Sequence, residues 1–132
     1  MPRKQVVSVI LYRENKVLVG VRKADRDLDP DKCMFPGGHV HDNEDIESAI
    51  KREMSEELGI KLINPKLVYS SDFETEGESQ TINWFGCTEF EGEPVPNEDA
   101  QLIWIDPKTE SHLLSYKISR TALNKFLLDA GE

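Results

Sequence analysis

The chain has 132 residues, 25 of them acidic and 16 basic, for a formal net charge of -9. That length suits one domain able to bury a real core, and we expect a single domain over 1–132. The acidic balance argues against a nucleic-acid polymer as partner, since no basic stripe is available to release counterions, and no stretch is apolar enough to span a bilayer.

The apolar run Val6–Leu11 is too short for a signal peptide, so the expected location is the cytoplasm. Cys33 and Cys87 fit no metal or redox spacing and read as reduced, unpaired thiols. His39, His41 and His112 form no zinc pattern.

In chain order, Gln5–Arg13 reads as a strand, Glu14-Asn15 as a tight turn and Lys16–Arg22 as a second strand, which makes a hairpin. Ala24–Lys32, with DRDLDPD in its middle, is a loop. Cys33–Gly38, CMFPGG, carries two glycines that permit close backbone approach and unusual dihedrals. His39 and His41 are two apart, so in a strand they share a face; His41 reads as a surface imidazole.

Beyond residue 60, Leu62–Phe73 holds a strand with a break at Pro65, Glu74–Ser79 is a hairpin loop, and Gln80–Phe90 alternates as one longer strand. Trp84 and Phe85 point to opposite faces of it. One of them, or Phe73, either stacks on a base or, the commoner fate, packs in the core. Glu91–Asp99, EGEPVPNED, is a loop, and Ala100–Ile105 a strand. Asp106-Pro107 starts a short turn or helix. Ser119–Leu128 is an amphipathic helix with Leu123, Phe126 and Leu127 apolar and Gly131 beyond its end.

The informative stretch lies between these halves. Ile46, Ala49, Ile50, Met54 and Leu58 recur at helical spacing, Asp45 is placed to cap the start and Gly59 to end it. At about 100° per residue, Ile46, Ile50, Met54 and Leu58 form one stripe, with Ser48, Lys51 and Ser55 opposite. Glu53 then projects about 20° from Ile46, and Glu57 about 20° from Ile50, so two carboxylates sit where a soluble helix would place leucine. Glu56 neighbours Glu53 at spacing three. A solvated acidic face closed by Arg52–Glu56 pairing is one reading. The other is a site for a hard divalent cation, Mg2+ or Mn2+, which relieves clustered carboxylates and binds phosphates with them.

Residues 38–60, GHVHDNEDIESAIKREMSEELGI, place Gly38, Glu44, Arg52, Glu53, Glu56, Glu57 and Gly59 at the spacing of the Nudix box. The chain therefore resembles a MutT-like Nudix hydrolase. The resemblance implies an α/β fold, an α/β/α sandwich with a mixed central sheet. It implies a metal site of Glu53, Glu56 and Glu57 with the Gly37 carbonyl, joined across the cleft by Glu98, with Asp99 as the fallback. Glu53 or Glu98 is the implied base, with Arg52 beside it in the catalytic set. Phe35, Gly38 and His39 are implied substrate contacts. Arg22 is either a phosphate contact or a solvated strand-end arginine. Gly38, Glu44, Arg52 and Gly59 are implied framework, with Glu44 and Arg52 holding the loop and orienting the glutamates.

For substrate, the resemblance implies a nucleoside diphosphate joined to another group. The proline of ADP-ribose hydrolases is missing, since Thr75 and Glu76 stand there, and Gly77 stands where dinucleoside polyphosphate hydrolases carry tyrosine. The expected reaction is cleavage of a (d)NTP, damaged forms included, to nucleoside monophosphate and pyrophosphate. The alternatives are a nucleotide sugar or another nucleoside diphosphate derivative, or a non-catalytic nucleotide-sensing domain. Partners are then small nucleotides, with monomer and homodimer both open.

Overall fold

The computed structural model describes residues 3–22, 32–75, 77–96 and 100–131. Among them are nine strands, β1 (Lys4–Arg13), β2 (Lys16–Arg22), β3 (Cys33–Met34), β4 (Gly37–His39), β5 (Lys61–Ile63), β6 (Lys66–Thr75), β7 (Glu78–Cys87), β8 (Glu89–Glu91) and β9 (Ala100–Ile105), and two α-helices, α1 (Ile46–Leu58) and α2 (Lys117–Asp129). Seven strands form one sheet in the order β3-β2-β1-β7-β6, with β4 also on β1 and β9 also on β2. β1 and β7 run parallel and the other pairs antiparallel, so the sheet is mixed, as expected.

The hairpin β1–β2 closes through Glu14 and Asn15, both left-handed at φ 52° and 66°, with Arg13 paired to Lys16. Two left-handed residues suit a two-residue turn whose twist matches that of the strands. Beyond Tyr12–Val17 the two strands part. One edge of β1 is taken by β7 and one edge of β2 by β9, so the remaining edges face each other across the gap. Residues 33–39 fill it: Cys33 and Met34 pair with β2, and Gly37–His39 pair with β1. The crossing at Phe35-Pro36 is tied to β1 by Val9 N–H donating to the Pro36 carbonyl at 3.0 Å.

Strand alternation divides the core into two layers. Val7, Val9 and Leu11 of β1, with Phe85 and Cys87 of β7, pack under Ala49, Ile50, Met54 and Leu58 of α1. Ile10 of β1, with Trp84, Val17 and Val19, packs under Ala122, Leu123 and Phe126 of α2. A helix therefore covers each face of the sheet, which is the α/β/α sandwich. Buried Asn83 ties three strands together: its Nδ2 donates to Gln5 Oε1 at 3.0 Å and to Val6 O at 3.1 Å, and its Oδ1 accepts from Ser70 Oγ at 2.9 Å. Both thiols are buried and free, and burial raises both pKa values. No helix among the described residues is long and apolar enough to cross a membrane.

Several boundaries differ from the sequence reading. The expected loop Glu74–Ser79 is mostly strand, because β6 runs to Thr75 and β7 begins at Glu78. The expected strand Gln80–Phe90 breaks at Thr88: β7 stays in the main sheet and β8 turns away to pair with β5 in a separate two-stranded sheet. Cys33–Gly38 contributes two short strands rather than a plain turn. His41 lies beyond β4, so it and His39 do not share a strand face. Helix α2 is longer than expected at both ends. Trp84 and Phe85 are both buried, one in each layer, which removes them as base platforms and leaves Phe73 exposed.

Met54 is fully buried at the centre of the α1 layer. Met54→Ala is expected to lower unfolding stability by about 2–5 kcal/mol, measured by urea denaturation with an unchanged m-value.

Candidate active site

α1 has the span and caps that its sequence indicates. Asp45 accepts the Ser48 N–H at 2.7 Å, which holds the Asp45 pKa below its ordinary value, and Gly59 ends the helix at φ 71°. The helix buries Ala49, Ile50, Met54 and Leu58, and with them Glu53, whose exposure is only 8%. Glu57 is half-buried and Glu56 exposed, so the three box carboxylates stand at different depths along one side of the helix.

The buried carboxylate has a seat. Gly38 of β4 pairs with Val7, a residue of the α1 layer, and a Cβ built on Gly38 would overlap Glu53 Cδ and both carboxylate oxygens. Gly37 is constrained differently, since a Cβ there would overlap the Val7 carbonyl oxygen and stand 2.9 Å from Ser8 Cα. Neither glycine has a positive φ, so the expectation of unusual dihedrals fails. Both positions need hydrogen for close approach, one to a side chain and one to backbone.

Arg52 joins the parts. Its Nε donates to Glu44 Oε2 at 2.8 Å and its Nη2 to Glu44 Oε1 at 3.0 Å, a bidentate pair. Nη2 also donates to the His39 carbonyl at 3.0 Å, and Nη1 to Glu53 Oε1 at 3.1 Å and Glu56 Oε2 at 3.2 Å. Glu44 in turn accepts the His41 N–H at 3.0 Å. Loop 40–45 is thereby clamped between the end of β4 and the middle of α1. The Arg52 hydrogen bonds, then that of His41, hold the Glu44 carboxyl down to about 2 from an ordinary 4.5. Glu44 first, and then Glu53, push the Arg52 pKa up.

Three carboxylates, of Glu44, Glu53 and Glu56, therefore share one guanidinium, which cannot neutralise them all. Among the described residues no three His, Cys, Asp or Glu side chains stand close enough together to hold a metal ion. Arg52 lies between two of the expected ligands and draws Glu56 toward itself. The donor set still suits a hard divalent cation: Glu53, Glu56 and Glu57 offer only carboxylate oxygens, and the excess charge is negative.

The other expected site residues fall less simply. His39 ends β4 with an exposed side chain, and its carbonyl is what Arg52 holds. Phe35, expected at the substrate, is 6% exposed and buried with Cys33 and Trp84 in the α2 layer, because the crossing from β3 to β4 turns it inward. The Arg22 side chain, Glu98 and Asp99 lie outside the described residues, as do Lys23 and all of the expected loop Ala24–Lys32 except Lys32. The segment before Glu98 is tied to the C-terminal end of α1 by Val95 N–H donating to the Leu58 carbonyl at 3.0 Å. Sequence reasoning missed Ser8, a buried hydroxyl on β1 facing the β3–β4 crossing. Its serine in an apolar strand was the only available signal.

The NUDIX domain model matches residues 2–123. The chain is 31% identical over 104 residues to the CTP pyrophosphohydrolase of Escherichia coli (strain K12), covering 79% of this chain and 76% of that protein. It is 32% identical over 100 residues to the 8-oxo-dGTP diphosphatase of the same organism, covering 75% and 76%. Among solved structures, the E. coli ORF135 protein superposes with a TM-score of 0.85 at 28% identity, covering 100% of this chain and 94% of that one. A MutT NUDIX hydrolase from Burkholderia pseudomallei gives 0.82 at 27% identity, covering 95% and 98%. The chain belongs to the NUDIX domain family. Within that family it is a MutT-like hydrolase, an enzyme acting on phosphoric anhydrides.

The two glycines should fail differently. Gly38→Ala displaces the Glu53 carboxylate, so it should keep its circular dichroism spectrum and lose activity by about 10^2-fold or more, as misplacement of a reacting group does. Gly37→Ala forces backbone apart and should unfold at markedly lower temperature. The pH dependence follows from Glu44. Its carboxyl is depressed in the folded state, so its stabilisation is complete above pH 4.5 and is lost as pH falls toward 2. In metal-free buffer, wild type should be more stable than Glu44→Gln near neutral pH, and the gap should close across that acid window in chemical denaturation.

Proposed function

We propose that this chain hydrolyses nucleoside triphosphates, oxidised and deoxy forms included, to nucleoside monophosphate and pyrophosphate, with Mg2+ or Mn2+ as cofactor. The observation that carries this reading is the buried Glu53 carboxylate, seated on Gly38 and joined through Arg52 to Glu44 and Glu56. The substrate class is supported by the names of relatives: a CTP pyrophosphohydrolase, 8-oxo-dGTP diphosphatases and the nucleoside triphosphatase NudI. We take 1–132 as one Nudix domain working in the cytoplasm.

When bound, the divalent cation supplies charge neutralisation on the phosphates and acidification of water at the site. Glu53, Glu56 and Glu57 would hold it, with the Gly37 carbonyl and Glu98. Water attacks phosphorus and the anhydride bond to the pyrophosphate leaving group breaks. Glu53 or Glu98 takes the proton of the attacking water. Arg52 Nη1 holds Glu53 Oε1 by a hydrogen bond, and the Gly38 seat limits the carboxylate to a narrow range of positions. Arg22 and His39 are assigned to the phosphates, and the exposed Phe73 is the remaining aromatic for the base.

Chromatographic product analysis over a nucleotide panel tests the reading. (d)NTPs should be turned over faster than ADP-ribose or diadenosine polyphosphates, giving nucleoside monophosphate and pyrophosphate. EDTA should abolish turnover, Mg2+ or Mn2+ should restore it, and Glu57→Gln should stay folded and lose most activity. Preference for ADP-ribose or a sugar nucleotide overturns the substrate assignment, and full activity without metal overturns the mechanism.

A further inference from the structure

Ser8 is a buried polar residue in the middle of β1, on the α2 face, where its strand neighbours two away are Val6 and Ile10. A strand facing a helix needs no hydroxyl there. Its Oγ donates to the Pro36 carbonyl at 3.1 Å, with the Phe35 carbonyl at 3.5 Å. The Pro36 oxygen accepts a second bond, from Val9 N–H at 3.0 Å. Consecutive residues of β1 thus hold one carbonyl oxygen, one through its side chain and one through its backbone.

That carbonyl belongs to the peptide plane leading into Gly37. Gly37 is the register partner of Ser8, so close that a Cβ on it would stand 2.9 Å from Ser8 Cα. Proline has no N–H with which to anchor the crossing itself, and the two glycines that follow have no side chain with which to hold it. Orientation at this seam therefore comes from β1. The Pro36–Gly37 peptide fixes where β4 starts, and the ladder of Gly37 and Gly38 on β1 carries that placement into the direction of the Gly37 carbonyl and delivers Gly38 against the Glu53 carboxylate.

We infer that Ser8 is a positioning residue for the metal site, acting through the Pro36–Gly37 peptide on the Gly37 carbonyl and the Gly38 seat. This rests on the metal-dependent reading given above and assigns it a residue outside the Nudix box. Ser8 touches neither substrate nor metal.

The test is Mn2+ binding to the full chain without nucleotide, followed by electron paramagnetic resonance, with folding checked by circular dichroism. Ser8→Ala should fold and bind Mn2+ roughly tenfold more weakly, the size seen when a group supporting a metal ligand is removed. The metal concentration for half-maximal activity should rise by the same factor. Ser8→Thr keeps the hydroxyl and should bind as wild type does. The inference is overturned if Ser8→Ala binds as tightly as wild type, or if Ser8→Thr loses as much as Ser8→Ala. It is also overturned, with no variant needed, if the Gly37 carbonyl 13C resonance of the wild-type chain does not move on Mg2+ titration. Glu57→Gln separates the two levels: if it binds Mn2+ like wild type, the metal reading itself falls, and if it loses binding while Ser8→Ala does not, only the role of Ser8 falls.

Discussion

β1 and β2 are paired only next to their turn, at Tyr12–Val17 and Arg13–Lys16, and the segment that seats Glu53 is threaded into the gap that opens beyond it. A gap between two strands leaves rows of unpaired N–H and C=O groups, which cannot be buried without partners. Residues 33–39 supply those partners, first to β2 and then to β1. The chain then emerges from the sheet at a defined place and angle, with Gly38 at the rim and α1 leading away from it. The position of Glu53 relative to the sheet is a consequence of that insertion.

Electrostatics keeps the arrangement tight where apolar packing cannot. A carboxylate at the depth of Glu53 loses hydration, and hydrogen bonds or an opposite charge must replace it. Arg52 provides one, but the same guanidinium is bound bidentately to Glu44 and to the His39 carbonyl. Its position is therefore fixed by Glu44 and the His39 carbonyl, and its contacts to Glu53 and Glu56 follow from that anchorage. Removing charge from the cluster would relieve repulsion and loosen the loop together, so stability and chemistry are coupled through this side chain.

The legible parts of the sequence were those whose signals are local. Asp45, the Ile46–Leu58 periodicity and Gly59 lie within one helix, and α1 has those bounds. The Glu14-Asn15 turn is local too. The splitting of Gln80–Phe90 was not legible, because β8 leaves the main sheet to pair with β5, far back in the chain, with Ile63 against Glu89. Cys33–Gly38 lacks alternation and contains proline, so its strand pairing appears only when the gap between β1 and β2 is known. Glu53 at the core edge was visible on the helical wheel, whereas its glycine seat was not, since Gly38 reaches it from another element. Ser8 looked like any small polar residue of a strand.

The parallel pairing of β1 with β7 joins Lys4 to Gln80 and Leu11 to Cys87. No hairpin can make such a pair; the whole of β2–β6 and α1 must be looped out while it forms, and closing long loops is slow. The hairpin β1–β2 and the helix α1 can form from neighbouring residues, but the bonds of Asn83 to Gln5 and Val6 of β1 arrive only with the long-range pairing. A partly folded chain would thus possess the acidic helix before it possesses the completed sheet against which Gly38 and Glu53 are held. The carboxylates alone are therefore not the site: it exists only where β4, registered on β1, brings Gly38 against Glu53.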